Sequence, residues 1–370
     1  MKTKITHLTS VHKRYDLRIF MKECSSLAEV NNYSVSLVVA DGKGNEIKNN
    51  VHIYDIGKLQ GRANRMFRST KRILEKAIEL DSDIYHFHDP ELISVGLKLK
   101  KLGKKVIYDI HEITDQVILD KHWIPSLLRP IVSKSFKYYE KKACKVFDYL
   151  IVPQPLMIDM YHDYSKTEAI CNFVSSKYFK KRIPRDKQHK NKIVAMHAGS
   201  LSDIRGLTNM LNAFSNIENA ILLLAGPFEE EKNLSLVQNA KNVDYRGILS
   251  MDEVSELYNE SDIGIILYNN VGQYHLSFAV KLFEYMLKGM PIIMPNFGEW
   301  VGFNEKYQCG INVDVTNRED IQRAIYTLAN DKELSKKLSE NGMLAAKENF
   351  SWESEEKKLF HIYKELTDAK

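Results

Sequence analysis

Two successive series of alternating strand and helix patterns constrain the fold of this chain more than any other feature of its sequence. In the first series, strand-like runs such as ITHLTS, YSVSLVVA and DIYHFH alternate with helical patterns. In the second series, KIVAMHAGS, AILLLAG and DIGIILY do the same. Such alternation predicts parallel sheets with helices on both faces. We therefore expect an α/β protein with two Rossmann-like domains.

The 370 residues are enough for two domains, each with its own core. Residues 180–192 contain seven Lys or Arg against one Asp and have almost nothing to bury, which is typical of a linker. We predict an N-terminal domain over residues 1–180, a linker over 181–191 and a C-terminal domain over 192–349. Residues 350–370 are predicted to form a final helix.

The stretch from Ser277 to Met294 combines a helical pattern with a buried strand. A helix from Phe278 to Lys288 would be apolar around most of its circumference, with one polar line at Lys281, Glu284 and Lys288. Its start near Ser277 would offer free backbone N–H groups to a phosphate. The alternative is that Glu284 only pairs with a neighbouring lysine on a solvated face.

The turn HAGSLSDIRGL follows the first strand of the second series. Gly199 and Ser200 would let the backbone approach a ligand, and Arg205 offers a bidentate donor suited to phosphate. The segment does not match GxGxxG, so it does not indicate a nicotinamide or flavin site.

Polar residues also follow three strands of the first series. Ligands of parallel sheets bind beyond the carboxyl ends of the strands, so these side chains are candidates for one cleft. Each histidine alone could instead be a packing or capping residue. The candidates are His12 and Asp16 after the first strand, His88 and Asp89 after the fourth, and His111 and Glu112 after the fifth.

Charge is distributed unevenly. Residues 1–190 contain 35 Lys or Arg against 22 Asp or Glu, a formal charge of +13, and residues 191–370 contain 18 against 26, or −8. The first part should therefore face an anionic partner. Its segment KHWIPSLLRPIVSKSFKYYEKKACKVF suits an anionic membrane surface or, alternatively, a surface helix that uses one face for the core. No nucleic-acid-binding module is recognisable.

Several function classes are not indicated. The sequence has no run of 18 apolar residues and no signal-peptide pattern at its start, so we expect a cytoplasmic protein, with peripheral attachment to the inner face of the membrane as an option. Its four cysteines lack CxxC spacing, which argues against a zinc site. We interpret the one DxD triplet, Asp81-Ser82-Asp83, as a solvated turn, and we expect neither a metal nor a cofactor.

These segments resemble glycosyltransferase family 4, whose members have the GT-B fold, over essentially the full length of the chain. AGSLSDIRGL is similar to the family's phosphate turn, and KLFEYMLKGMPII to its donor-binding helix and strand. SVHKRYDLRIFMKE, HFHDPELI and VIYDIHE resemble segments of bacterial members that build surface polysaccharides. FSWE before a last helix is similar to the GT-B feature in which that helix crosses back onto the N-terminal domain.

The resemblance implies a nucleotide-sugar donor on the C-terminal domain and an acceptor on the N-terminal domain, with a cleft between them. Glu284 would bind the ribose hydroxyls, and Arg205 and Lys281 would clamp the diphosphate and stabilise the leaving nucleotide. His111 matches the family histidine at the reacting sugar. The remaining donor residues would be Gly199, Ser200 and Ser277, and the loop with His12 and Asp16 would close the cleft.

Two positions depart from the family pattern. The first glutamate of its E-x7-E pair falls on Leu276, and Ser200 occupies the position of a customary Arg or Lys. Arg205 must then carry more of the phosphate charge.

The resemblance predicts transfer of a hexose or related sugar from a UDP- or GDP-sugar to a polyprenyl-diphosphate-linked glycan in O-antigen, capsule or exopolysaccharide synthesis. Retention of configuration, without a metal, is the family's usual outcome. A GT-B sugar-nucleotide epimerase and a catalytically silent nucleotide-binding subunit are the alternatives.

Overall fold

The computed structural model divides the chain into two compact units. Unit 1 comprises Met1–Asn172 and Glu355–Lys370, and unit 2 comprises Phe173–Ser354. Except for His189, the predicted linker 181–191 lies outside the described residues, so the predicted limits of the domains stay predictions. Leu276 and Ser277 also lie outside them. The structure describes residues 2–61, 64–119, 121, 123–175, 189, 192–275 and 278–368.

Unit 1 is built on an eight-stranded sheet of order β3-β4-β2-β1-β5-β6-β7-β8. Every neighbouring pair is parallel except β3 with β4. Parallel strands end at the same edge, so their following loops share one side of the unit. The strands are β1 (Thr3–Leu8), β2 (Tyr33–Val39), β3 (Glu46–Lys48), β4 (Val51–Asp55), β5 (Ile84–Phe87), β6 (Lys105–Asp109), β7 (Tyr149–Val152) and β8 (Thr167–Ala169).

Helices connect these strands, as the sequence predicts. A π-helical turn, Ile19–Cys24, leads into α1, another, Asn64–Ser69, leads into α2, and 3₁₀ turns precede α3 and α6. The helices are α1 (Ser25–Ala28), α2 (Thr70–Leu80), α3 (Ile93–Lys101), α4 (Thr114–Leu119), α5 (Arg129–Cys144) and α6 (Ile158–Tyr161).

Unit 2 contains a six-stranded, wholly parallel sheet of order β11-β10-β9-β12-β13-β14. The predicted α/β fold is thereby confirmed for both units. Its strands are β9 (Ile193–Ala198), β10 (Ala220–Ala225), β11 (Val243–Tyr245), β12 (Ile263–Ile265), β13 (Ile292–Pro295) and β14 (Gly310–Val313). Its helices are α7 (Leu207–Phe214), α8 (Lys232–Gln238), α9 (Met251–Glu260), α10 (Val280–Lys288), α11 (Glu299–Tyr307), α12 (Arg318–Asn330) and α13 (Lys332–Asn349).

The last helix, α14 (Trp352–Asp368), belongs to unit 1 from Glu355 onward. Its Leu359, Ile362 and Tyr363 are fully buried there. The predicted return of the C-terminal helix to the N-terminal domain is thus confirmed.

Helix α10 begins at Val280, two residues after the predicted start, because Ala279 has an extended backbone. Gly289 ends it in the left-handed conformation that glycine adopts at no steric cost. The helix packs closely on β12, since a Cβ on Gly264 would lie 2.4 Å from the ring of Tyr285. The Tyr285 hydroxyl donates a hydrogen bond to Met196 O at 3.0 Å, which fixes the helix over the sheet.

Candidate active site

In unit 2, a tight turn follows the carboxyl end of β9. Gly206 at its end has a φ of 79°, and a Cβ there would lie 1.8 Å from Leu267 O. A Cβ on Gly226 of the adjacent strand end would lie 1.9 Å from Gly199 O. Only glycine fits at these two positions, and the backbone of the turn around Gly199 is therefore held tightly.

Lys281 lies against this turn. Its Cε is 3.4 Å from the point that a Cβ on Gly199 would occupy, and its Nζ donates to Glu284 Oε2 at 2.6 Å. The same carboxylate oxygen accepts a hydrogen bond from the Tyr258 hydroxyl at 2.5 Å. The ion pair with Lys281, which the spacing offered as an alternative, is present. The carboxylate of this pair is largely buried, however, and does not lie on a solvated face.

Two further predicted residues of this turn share one carboxylate. Ser200 Oγ donates to Glu229 Oε1 at 2.7 Å, and Arg205 Nη2 lies 3.6 Å from the same oxygen. The side chain of Arg205 is about one third exposed. The guanidinium of Arg205 could therefore bind a phosphate dianion in place of Glu229.

His197, which the sequence interpretation passed over, completes this group. Its Nε2 is 3.8 Å from the position of a Cβ on Gly199, and its Nδ1 bonds Ile265 O at 3.0 Å. Burial, together with the nearby Lys281 and Arg205 cations, lowers the pKa of His197 to about 4. A neutral imidazole thus lies beside Lys281. Its position at the end of β9, in HAGS, was the available sequence signal.

In unit 1, His12 lies between two carboxylates. Its Nδ1 is 3.4 Å from Asp16 Oδ2 and its Nε2 is 3.5 Å from Asp89 Oδ1. Although burial opposes a charged imidazole, Asp16 and Asp89 raise the pKa of His12. Asp89 is itself buried and fixed by hydrogen bonds from the Thr9 hydroxyl and from the backbone and hydroxyl of Ser10.

His88, Asp109 and His111 form a compact triangle at the ends of β5 and β6. His88 Nδ1 lies 3.2 Å from both Asp109 Oδ2 and His111 Nε2, and His111 Nε2 lies 3.1 Å from Asp109 Oδ2. Arg18 holds Asp109 through two hydrogen bonds of 2.8 Å. His111 is the partly exposed corner of the triangle, whereas His88 and Asp109 are buried.

His12, His88, Asp89 and His111 form the floor of an open cavity of about 950 Å³ in unit 1. Glu112 also lines this cavity and is exposed, whereas Asp16 is not among the lining residues. The walls are mainly apolar and carry a few lysines. They include Met66, Phe67, Leu74, Val117, Ile118, Trp123, Phe136 and Tyr139, with Lys71, Lys98 and Lys121.

The structure thus brings together two groups of predicted residues, one in each unit. In unit 2 the group consists of Gly199, Ser200, Arg205, Lys281 and Glu284. Ser277, the remaining predicted donor residue, lies outside the described residues. The sequence interpretation did not identify Arg18, Glu23 or Asp109, nor the strand histidines His7 and His86. All five are buried around the floor of the unit 1 cavity.

Asp81 and Asp83 do not share a site. Asp81 accepts a hydrogen bond from Lys104, whereas Asp83 accepts one from the backbone of Lys4. Within the described part of the chain, no helix is both long and apolar enough to cross a lipid bilayer.

Comparisons with known proteins agree with this architecture. Residues 21–177 match a family model described as Glycosyltransferase Family 4, and residues 179–344 match one described as Glycosyl transferases group 1. A search of curated protein sequences gives no match.

Solved structures with the same two-domain fold cover nearly the whole chain. Sucrose-phosphate synthase from Thermosynechococcus elongatus superposes with a TM-score of 0.78 at 16% identity and covers 100% of each chain. HepE of Anabaena, in complex with UDP and glucose, gives 0.74 at 14% identity over 98% of this chain and 100% of HepE. WaaG, a glycosyltransferase involved in lipopolysaccharide biosynthesis, gives 0.70 at 14% identity over 96% and 98%.

Proposed function

Because this chain is a glycosyltransferase with a Family 4 domain followed by a group 1 domain, we propose that it transfers a hexose or related sugar from a UDP- or GDP-sugar to a lipid-linked oligosaccharide. The reaction retains the configuration at the anomeric carbon and uses no metal at the donor. The acceptor is a polyprenyl-diphosphate-linked glycan of O-antigen, capsule or exopolysaccharide synthesis. The enzyme works in the cytoplasm, at the inner face of the membrane.

The observation that carries the donor assignment is the packing of the Lys281–Glu284 pair against the Gly199 turn. A cation beside a backbone turn at a strand end suits a diphosphate. Glu284 would accept hydrogen bonds from the ribose hydroxyls, and charge-assisted bonds of this kind contribute about 1.5–3 kcal/mol. Lys281 and Arg205 would stabilise the charge on the leaving nucleotide.

The cavity of unit 1 supports a lipid-linked acceptor. Its floor carries His12, Asp89 and His111, which can hold the polar end of a substrate, and its walls are largely apolar. A sugar-nucleotide epimerase needs no second substrate of this kind, so the cavity favours transfer over epimerisation. His111, the partly exposed corner of its triangle, would contact the reacting sugar.

An apolar surface beside this cavity supports work at a membrane. Leu127 and Ile131 are 88% and 62% exposed, and Trp123 is 55% exposed. Helix α5, which includes Ile131, contains five Lys or Arg and buries mainly its other end, around Glu140 and Cys144. Exposed apolar side chains flanked by cations are suited to anionic lipid headgroups.

The donor assignment is tested by calorimetric titration of UDP and GDP into the wild-type protein and into Glu284→Ala. We expect one nucleotide to bind and its affinity to fall about tenfold or more in the variant. Glu299→Ala, an exposed glutamate of the same unit, is the matched control and should bind like the wild type. Failure of both nucleotides to bind, or equal binding by Glu284→Ala, would refute the assignment.

The membrane assignment is tested by sedimentation with vesicles of phosphatidylglycerol and phosphatidylcholine. The double variant Leu127→Ser, Ile131→Ser should bind several times more weakly than the wild type. Ile47→Ser, Leu102→Ser removes two other exposed apolar residues of unit 1 and should not change binding. Unchanged binding of the first variant would contradict the assignment.

A further inference from the structure

Four ionisable side chains converge in the interior of unit 1, and one of them, His88, also lines the cavity of this unit. His7, His86, His88 and Glu23 are at most 1% exposed, and one potential ligand atom from each lies within 4.8 Å of the other three. His7 and His86 are directly paired in the register of β1 with β5. The register, and not the sequence spacing, creates the cluster.

Two of these groups lack hydrogen-bond partners among the described residues. Neither carboxylate oxygen of Glu23 accepts a hydrogen bond, although Arg18 Nε lies 3.1 Å from Oε1. The Nε2 atom of His86 also has none. Buried polar atoms without a hydrogen-bond partner destabilise a fold, so an additional group that satisfies them would stabilise unit 1.

The opposite nitrogen of each imidazole is already engaged. His7 Nε2 and His86 Nδ1 lie 3.1 and 2.9 Å from the Tyr363 hydroxyl of α14, which can accept a hydrogen bond from both. His88 Nδ1 lies 3.2 Å from Asp109 Oδ2. This pattern is typical of metal-bound histidine, whose second nitrogen donates to an outer partner.

We propose that His7 Nδ1, His86 Nε2, His88 Nε2 and Glu23 Oε2 bind one divalent transition-metal ion, with Zn²⁺ the expected occupant. Three imidazoles and a carboxylate are ligands that Zn²⁺ accepts in four-coordinate sites. The ion has a structural role, next to the cavity that His88 also lines. A bound metal would contradict the expectation from the sequence, which indicated neither a metal nor a cofactor.

The distances require only small changes around an ion. His7 Nδ1 and His88 Nε2 share a hydrogen bond of 3.0 Å, and Glu23 Oε2 is 4.0 and 3.9 Å from them. Tetrahedral bonds of about 2.0–2.1 Å place ligand atoms roughly 3.3 Å apart. The ion would therefore replace the hydrogen bond, with the two imidazoles slightly further apart and Glu23 slightly closer.

A proton shared by Glu23 and Asp109 is the main rival. Burial and the nearby Asp109 raise the pKa of Glu23 well above its usual range, which such a proton would explain. A proton on the carboxyl pair, however, leaves His86 Nε2 without a partner. A metal ion satisfies Glu23 and His86 together.

The experiment is elemental analysis of the untagged protein after refolding with Zn²⁺ and extensive dialysis. We expect one Zn²⁺ per chain in the wild type and almost none in Glu23→Gln or His86→Gln, because each loses a ligand. Refolding with a chelator should lower the melting temperature of unit 1. His162→Gln, which changes an exposed histidine of the same unit, should keep its Zn²⁺ and its melting temperature.

If a ligand variant does not fold, Tyr363→Phe provides a second test, because it keeps all four ligands. Its Zn²⁺ affinity should fall about 10- to 100-fold, as is usual when an outer partner is lost. Folded wild-type protein without metal after refolding with Zn²⁺, Mn²⁺ or Co²⁺ would overturn the proposal. So would full metal content in both Glu23→Gln and His86→Gln.

Discussion

The two units bring polar residues to the carboxyl ends of parallel strands in opposite ways. Unit 1 buries its ionisable groups in one connected network, in which Arg18, Asp109 and His88 are at most 5% exposed. Unit 2 leaves Arg205 and Lys281 partly open to solvent, with carboxylates as their present partners. The same sheet architecture thus supports a rigid, pre-organised floor in one unit and an exchangeable cationic site in the other.

The proposed function accounts for this difference by the charge of each ligand. A diphosphate brings its own negative charge, so the proposed donor site needs cations that can release their protein partners. A sugar hydroxyl is neutral, so the proposed acceptor site gains most from groups whose positions are fixed in advance. We therefore expect substitutions in unit 2 to change binding of the charged donor, and substitutions in unit 1 to change substrate positioning and the stability of the fold.

The largest effect is expected from Lys281→Met. Because this ammonium would stabilise the leaving nucleotide, kcat should fall about 10²- to 10³-fold. Steady-state release of the nucleoside diphosphate, with donor and lipid-linked acceptor both saturating, measures it. Lys232→Met, which removes an exposed lysine of the same unit, should leave kcat unchanged. An active Lys281→Met variant would show that the cation is only a structural partner of Glu284.

Local sequence patterns were enough to predict several residues of each candidate site. Lys281 and Glu284 stood out as a polar line on an apolar helix, and His111 stood at a strand end. Both signals are local, because helical spacing and the end of a strand can be recognised without the fold.

The buried network could not be recognised in that way. His7 and His86 lie inside strands and meet only through the pairing of β1 with β5, across 79 positions of sequence. Arg18 and Asp109 are 91 positions apart. Glu229 and Tyr258 likewise reach the donor group from elements that the local patterns do not connect. Register and long-range packing determine these contacts, and a single sequence does not encode them locally.

The buried carboxyl of Glu140 in unit 1 should make the free energy of unfolding depend on pH. Burial raises the pKa of this carboxyl to about 7, although the hydroxyls of Tyr108 and Tyr161 donate to it. A raised pKa means that its stabilising effect is complete below about pH 4.5 and is lost as the pH rises through about 7. The wild type should therefore lose up to about 3 kcal/mol of stability over this window.

Glu140→Gln should abolish that part of the pH dependence. Denaturant unfolding at pH 5 and pH 8 measures it, because the variant should gain stability relative to the wild type only at the higher pH. Glu75→Gln, an exposed change in the same unit, should follow the wild-type curve. If the free energy of unfolding changed equally with pH in Glu140→Gln and in the wild type, burial would not raise the pKa of Glu140.

His111→Asn should separate catalysis from donor binding. His111, the partly exposed corner of the His88–Asp109–His111 triangle, would contact the reacting sugar, so we expect kcat to fall about 10²-fold. Nucleotide affinity, measured by calorimetry, should stay the same because the proposed donor site is in unit 2. His162→Asn is the control. A comparable loss of nucleotide affinity in His111→Asn would contradict this division of roles between the units.

The smallest expected effect comes from Glu229→Gln. Glu229 accepts a hydrogen bond from Ser200 and lies 3.6 Å from Arg205, and its side chain is 43% exposed. Exposed ion pairs contribute about 0–1 kcal/mol, so releasing Arg205 should raise nucleotide affinity by at most about fivefold. The carboxylate would also repel the incoming diphosphate, which acts in the same direction.

Calorimetry at low and high salt should show the gain in nucleotide affinity of Glu229→Gln shrinking as salt screens both effects. Weaker binding by Glu229→Gln would instead mean that this carboxylate contacts the donor, and the cationic site of unit 2 would then be pre-organised as fully as the floor of unit 1.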